Sequence, residues 1–92
     1  MWYISKSHID GVGLFAAVNV FPGDTLGVAI DGRTITPMGS KINHSWSPNC
    51  RIRAVGHQWI LYVVRPVPQG TEFTVDYRDT PDFIKKPMVH WT

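Results

Sequence analysis

Three short stretches of the chain hold the residue types that could do chemistry. "INHSWSPNC" (residues 42–50) sets the Asn43 amide, the His44 imidazole, two hydroxyls and the Trp46 indole beside Pro48. "GVG" (Gly11, Val12, Gly13) is a turn whose missing side chains tolerate positive φ and would let a ligand approach the backbone N–H and C=O groups. Tyr77 closes "TEFTVDY" and offers a phenol at the end of a strand, the usual place for a half-buried ring with its hydroxyl at a rim. Taken singly, each stretch also has a structural use: Asn and Ser satisfy the backbone of turns, and His44 fills a polar niche. Nucleophilic chemistry is poorly served. Cys50 is the only cysteine and has no His/Asn arrangement, which makes it a small buried hydrophobe. Ser7, Ser45 and Ser47 lack the G-x-S-x-G elbow of a hydrolase. His8, His44, His57 and His90 never pair at metal-ligand spacing, so no metal is expected. "GVG" lacks the third Gly and the following helix of a dinucleotide site.

The elements that must position these residues are short strands, because Gly, Pro and Asp punctuate the chain every few residues and no long helical period exists. Residues 2–5 form a strand, 8–13 a turn and 14–20 the returning strand. Residues 21–24 are a turn with Pro22 at its second position, suited to its fixed φ. Asp31-Gly32 joins strands at 25–30 and 33–37, and Gly56-His57 joins strands at 51–55 and 58–64. One helical turn fits around residues 38–42, and residues 67–77 are a turn leading into a last strand. Phe15, Trp59, Tyr62 and Phe73 belong to the core. The expected fold is mostly β with little helix.

Composition bounds the function classes. At 92 residues the chain makes one domain, residues 1–92, with a modest core that buries roughly 60–65% of its unfolded surface. Four Trp, three Tyr and four Phe exceed what such a core holds, so a ligand or a second copy is expected to cover some of them. Nine basic against seven acidic side chains, with no Lys/Arg run, leave no concentrated basic face for nucleic acid. The N-terminal stretch lacks the apolar run of a signal peptide, and nothing approaches the ~18 apolar residues of a membrane span. A single cysteine fits a reducing compartment, so a soluble intracellular protein is the expectation.

The three stretches, taken in order, resemble the SET domain of protein lysine methyltransferases. "SHIDGVGLFAAVNVFPGDTL" resembles that family's opening, "INHSWSPNCR" its N-H-S-x-x-P-N signature, and "VRPVPQGTEFTVDY" its closing G-E-E-L-T-x-D-Y strand. The core match runs from about residue 5 to 79, leaving 80–92 as a closing segment. The resemblance implies a β-clip of short twisted sheets with a C-terminal pseudoknot that brings Asn43-His44 beside Tyr77. It implies S-adenosylmethionine as cofactor, leaving S-adenosylhomocysteine. The backbone of Gly11, Val12 and Gly13 would meet the methionine end, Asn43 the amino acid moiety and the His44 backbone the adenine. Tyr77 would border the cofactor and act as the catalytic residue where methyl donor meets target lysine. Tyr62, Trp46, Phe83 and Trp91 are candidates for the walls of the lysine channel. The substrate would be a lysine in a protein or peptide, a histone tail or another host protein among them.

The chemistry accounts for such a site. A free lysine has a pKa of about 10.4, so only a few in ten thousand are neutral near pH 7. A narrow apolar channel beside a sulfonium charge depresses that value, and aromatic walls with hydroxyl or carbonyl acceptors hold the amine in line.

The chain departs from the family pattern at Trp46, where Cys is usual, and at Thr71, which replaces the first Glu of the closing motif. Between Leu26 and Ile42 a hairpin and a turn replace a subdomain carrying a helix and the strand that pairs with substrate. No cysteine-rich zinc segment follows Tyr77. In compactness the chain resembles the small free-standing SET proteins of viruses, which implies a homodimer and, in that setting, the host cytoplasm or nucleus. The shortened segment also motivates two other readings: a catalytically silent SET-like module that binds a peptide or partner, and a structural β-clip protein without cofactor.

Overall fold

The computed structural model describes residues 1–88. Two four-stranded sheets share one core. Strands β1 (Trp2–Lys6) and β2 (Val12–Ala16) form an antiparallel hairpin, with Trp2 opposite Ala16 and Lys6 opposite Val12. The second sheet comes from β3 (Thr25–Asp31), β4 (Thr34–Ile35), β6 (Cys50–Val55) and β7 (Gln58–Val63), in the order β4-β3-β7-β6. Between its two hairpins lie a 3-10 turn (Gly39–Lys41) and the two-residue β5 (Asn43–His44). The last strand, β8 (Glu72–Val75), inserts into the first sheet between β2 and β5, giving the order β1-β2-β8-β5. It runs antiparallel to β2 and parallel to β5, with Asn43 opposite Thr74 and His44 opposite Val75. A second 3-10 turn (Tyr77–Asp79) follows at once. The chain is mostly β, as expected, and among the described residues only these two single turns of 3-10 helix occur.

Alternation along the strands builds the core. Leu14 of β2, Leu61 and Val63 of β7, Cys50 of β6 and Phe73 of β8 are all buried to 1% exposure or less. Burial pushes the Cys50 thiol up to about 12, which keeps it protonated and inert. Phe15 is half-buried and stacks on the exposed Tyr3, with ring centroids 5.6 Å apart. Trp59 packs against the core from its edge, while half-buried Tyr62 lies under the Arg53 guanidinium at 5.4 Å. Among the described residues no helix is long and apolar enough to cross a membrane.

Three local expectations change. The strand expected over 14–20 begins at Val12 and ends at Ala16. The Ser7 N–H bonds the Gly11 carbonyl at 2.9 Å, closing the loop early and placing Val12 and Gly13 in the ladder. Beyond Ala16, Val20 leaves β2 and pairs with Val67 through reciprocal bonds of 2.9 and 2.8 Å. The strand expected over 33–37 shrinks to two residues because Thr36 turns back, its hydroxyl donating to the Val28 carbonyl at 2.7 Å. Asn43-His44, expected in a turn, is a strand because β8 offers it a free edge. The turn expected near 38–42 is the 3-10 turn, and its Gly39 lies flat on β3. A Cβ there would overlap the Ala29 backbone.

Candidate active site

At one end of the first sheet, β8 brings Glu72 beneath the β1–β2 loop, and β5 brings Asn43 to the same place. The Asn43 amide Nδ2 lies 2.8 Å from Glu72 Oε2 and 3.1 Å from each of Ser7 Oγ, the Asp10 carbonyl and the Val12 carbonyl. All four neighbours accept, so the NH2 side of the amide is fixed by its surroundings. Its Oδ1 accepts no hydrogen bond among the described residues. Ser7 donates its one hydroxyl proton to the Glu72 carboxylate, 2.7 and 2.9 Å from the two oxygens, and accepts from the Ile9 N–H at 2.9 Å. Gly13 is obligatory for this arrangement, because a Cβ there would overlap the carboxylate. Gly11 takes φ +47°, and a Cβ on it would meet open space. Ser7 and Glu72 were no part of the expected site; the Glu in the closing motif was the one signal for them.

The other half of the site is Tyr77, held from three directions. Its backbone N–H donates to His44 Nδ1 at 3.0 Å. Its hydroxyl donates to the Ile42 carbonyl at 2.7 Å, and its own carbonyl accepts the Thr80 hydroxyl. The His44 ring is 3% exposed, and burial lowers its pKa, against the opposing pull of Asp76. Because Nδ1 accepts from Tyr77, the imidazole is neutral with its proton on Nε2, and the 3.9 Å approach to Asp76 is no ion pair. The sequence pointed to the His44 backbone as the useful part. Here the side chain also works, joining β5 to the residue after β8.

Asp76 is buried and caps the turn, accepting the Arg78 N–H at 2.9 Å while its carboxylate takes the Arg78 guanidinium. That pairing holds the Asp76 carboxyl below its usual range despite burial. The same guanidinium lies 4.8 Å over the Trp46 ring, which meets His44 edge-on at 4.5 Å. Trp46 therefore sandwiches between His44 and Arg78. Asn49 acts as a piece of strand. Its amide donates to the Glu72 carbonyl and accepts the Thr74 N–H, both at 2.9 Å, extending the pairing of β8 beyond β5.

Tyr77 also lines an apolar cavity of about 240 Å³ between the two sheets and the closing segment. Ile30, Ile42, Ile52, Val75 and Phe83 form much of its wall, and among the described residues no carboxylate lines it. Burial raises the Tyr77 phenol pKa, and the Asp10 and Glu72 charges add to the rise. The ring is thus a neutral hydroxyl between the Asn43 cluster and the cavity. The structure brings Asn43, His44, Tyr77, Gly13 and Val12 together, with Phe83 on the cavity wall. Tyr62 and Trp46 do not line that cavity, and Trp91 falls outside the described residues. No group of three or more His, Cys, Asp or Glu among the described residues is placed to hold a metal ion.

Comparison with solved structures gives the fold. A protein of Plasmodium falciparum assigned as a histone methyltransferase superposes with a TM-score of 0.64 at 18% identity, covering 80% of this chain and 90% of that one. The Neurospora SET domain protein DIM-5, a histone lysine methyltransferase, superposes with a TM-score of 0.68 at 19% identity, over 95% of this chain. The chain spans 55% of the DIM-5 chain. No curated protein sequence matches. The family profile of the SET domain matches residues 19–78, which include Asn43, His44, Glu72 and Tyr77 but not the Gly11–Gly13 turn. With both sheets, the β5–β8 junction and that match in agreement, the chain belongs to the SET domain family.

Proposed function

We propose that the protein is an S-adenosylmethionine-dependent protein-lysine N-methyltransferase. The observation that carries this reading is Tyr77, clamped between a polar cluster with an unused amide oxygen and an apolar cavity that no carboxylate lines among the described residues. The polar cluster fits the amino acid end of the cofactor. Asn43 Oδ1 can accept from an ammonium group, and Gly11 opens the backbone beside it. When bound, the cofactor supplies an electrophilic methyl on a sulfonium.

The protein's residues supply the rest. The cavity disfavours a charged ammonium, so its walls shift the target lysine toward the neutral amine that attacks. Among the described residues no lining carboxylate restores the charge. Tyr77 stays protonated and spends its proton on the Ile42 carbonyl, leaving oxygen lone pairs to accept from the amine. It orients rather than abstracts, and orientation of this kind can supply several orders of magnitude in rate. Phe83 and the isoleucines exclude water from the amine.

The test is calorimetry with S-adenosylhomocysteine, then mass spectrometry of protein and peptide mixtures incubated with S-adenosylmethionine. Mass increments of one methyl on lysine are expected. Binding without transfer would point instead to a silent SET-like binding module; no binding at millimolar cofactor would overturn both.

A further inference from the structure

The polar cluster around Asn43 holds a carboxylate whose protein partners are neutral. Glu72 is half-buried at the start of β8, and its oxygens take the Ser7 hydroxyl and the Asn43 amide. Among the described residues no Lys, Arg or His pairs with it. A carboxylate drawn partly out of water ordinarily faces a cation, because neutral hydrogen bonds replace only part of its hydration.

The surroundings hold that carboxylate in place. The Ser7 N–H closes the β1–β2 loop on the Gly11 carbonyl, and the Ser7 hydroxyl then lies 2.7 and 2.9 Å from the two Glu72 oxygens. Gly13 leaves the room that the carboxylate fills. The Asn43 amide is fixed by more than Glu72. The Asp10 and Val12 carbonyls, at 3.1 Å each, accept from Nδ2 and would repel Oδ1, so the amide keeps its oxygen turned away from the cluster even without the Glu72 charge. That oxygen is not sealed from solvent. A single planar amide therefore separates a reachable acceptor from a carboxylate. The Glu72 charge is also felt at Tyr77, where burial raises the phenol pKa and the charges of Asp10 and Glu72 raise it further.

A group that docks on Asn43 Oδ1 must be a donor. Next to the Glu72 carboxylate a cationic donor gains, and an anion loses. The amino acid end of the proposed cofactor carries one of each, an ammonium and a carboxylate.

We infer that Glu72 determines specificity at this end of the site: its charge and the Asn43 oxygen take the ammonium group together, and the ligand's carboxylate is turned away from them. Ser7 is a positioning residue that holds the Glu72 carboxylate beside Asn43. The inference rests on the polar cluster being the pocket for the cofactor's amino acid end. It adds a ranking of the two end groups, with the amine as the one the protein reads.

The test is calorimetry on the whole chain at low ionic strength with three ligands: S-adenosylhomocysteine, its counterpart lacking the amine and its counterpart lacking the carboxylate. Loss of the amine should weaken binding about tenfold or more, and by more than loss of the carboxylate does. Glu72→Gln keeps an acceptor for Asn43 and removes the charge. It should weaken S-adenosylhomocysteine about fivefold or more while leaving the amine-free ligand within about twofold, so the penalty for the missing amine shrinks. The comparison of the three ligands on the parent chain needs no variant to fold. Equal binding with and without the amine, or a larger loss on removing the carboxylate, would overturn the inference. So would a Glu72→Gln chain that binds all three ligands more weakly by the same factor, since the carboxylate would then serve only to hold the loop. These results leave the cofactor reading standing, because S-adenosylhomocysteine still binds. No binding of S-adenosylhomocysteine at millimolar concentration would overturn that reading and the inference with it.

Discussion

Gly13 and Glu72 should behave as one unit when mutated. At Gly13 the backbone lies outside the left-handed region, so alanine meets no conformational strain. The obstacle is the Glu72 carboxylate, which occupies the place of the new methyl, with Ser7 Cβ at 3.2 Å behind it. A flexible side chain can move aside. Doing so, however, breaks its bonds to the Ser7 hydroxyl and the Asn43 amide at 2.7 and 2.8 Å. Hydrogen bonds to a charged group contribute about 1.5–3 kcal/mol each when buried, and less in a part-exposed site where the partners find other acceptors. Asn43 keeps three others, so the cost of losing the carboxylate is about 2 kcal/mol in total. Glu72→Ala should therefore cost about 2 kcal/mol, and Gly13→Ala, which displaces the same carboxylate, about the same. In the double variant the methyl finds space, and replacing glycine removes freedom from the unfolded chain, a gain of about 0.4–1 kcal/mol. The pair should then be no less stable than Glu72→Ala alone, a coupling of about 2 kcal/mol. Urea unfolding of the four proteins, with equal m-values, measures it. Additivity within about 0.5 kcal/mol would mean that the carboxylate does not rest on Gly13, and the account of the Asn43 cluster would fall with it.

Three further outcomes follow from the same geometry. Tyr77→Phe should keep affinity for S-adenosylhomocysteine while methyl transfer drops at least tenfold, because the hydroxyl orients the amine but does not hold the polar cluster; unchanged turnover by mass spectrometry removes Tyr77 from the reaction. Stability should fall with acid below about pH 6.5, since the unfolded chain protonates His44 at its ordinary value while the buried ring, its pKa lowered, must stay neutral. Asp76, held below its usual range, adds a second loss at lower pH, and His44→Gln should flatten only the first step in a urea-midpoint series. Gly39→Ala should cost about 1–3 kcal/mol, because its methyl meets the rigid Ala29 backbone rather than a side chain; a midpoint within error of the parent would show that the segment lifts freely off β3.

Much of the fold was legible because it is written in local signals. Gly32 and Gly56 punctuate two strand pairs, and both hairpins form around them. Phe73 and Cys50, read as buried from the sequence, are both fully buried. What failed locally was decided by distant partners. Nothing near Asn43 announces a strand; it becomes one because β8, about thirty residues later, supplies the edge. Phe15 and Tyr62 were expected in the core, yet each ended half-buried under a neighbour from another strand, Tyr3 or Arg53. The Ser7–Glu72 bond spans 65 residues, and no spacing rule links a loop serine to a strand glutamate. Asn49 is the same case: its side chain mimics a strand, a use that depends on the backbone it faces.

The shortened stretch between Leu26 and Ile42 bears most directly on the proposed chemistry. Its loss would be fatal if that stretch positioned Tyr77, but among the described residues the hydrogen bonds that hold Tyr77 come from His44, Ile42 and Thr80. The stretch is itself pinned to β3, with Thr36 donating to the Val28 carbonyl and accepting from the Gly39 N–H at 3.0 Å. It therefore contributes a wall, through Ile35, Gly39 and Ser40, rather than a lid. A channel bounded by so short a wall has few backbone groups with which to grip a peptide, because a two-residue edge strand offers at most a pair of ladder bonds. On the proposed reading, a small SET domain can do without the longer substrate-pairing segment and keep its reaction centre intact, because the hydrogen bonds that hold Tyr77 come from β5, its flank and the turn after β8 rather than from β4.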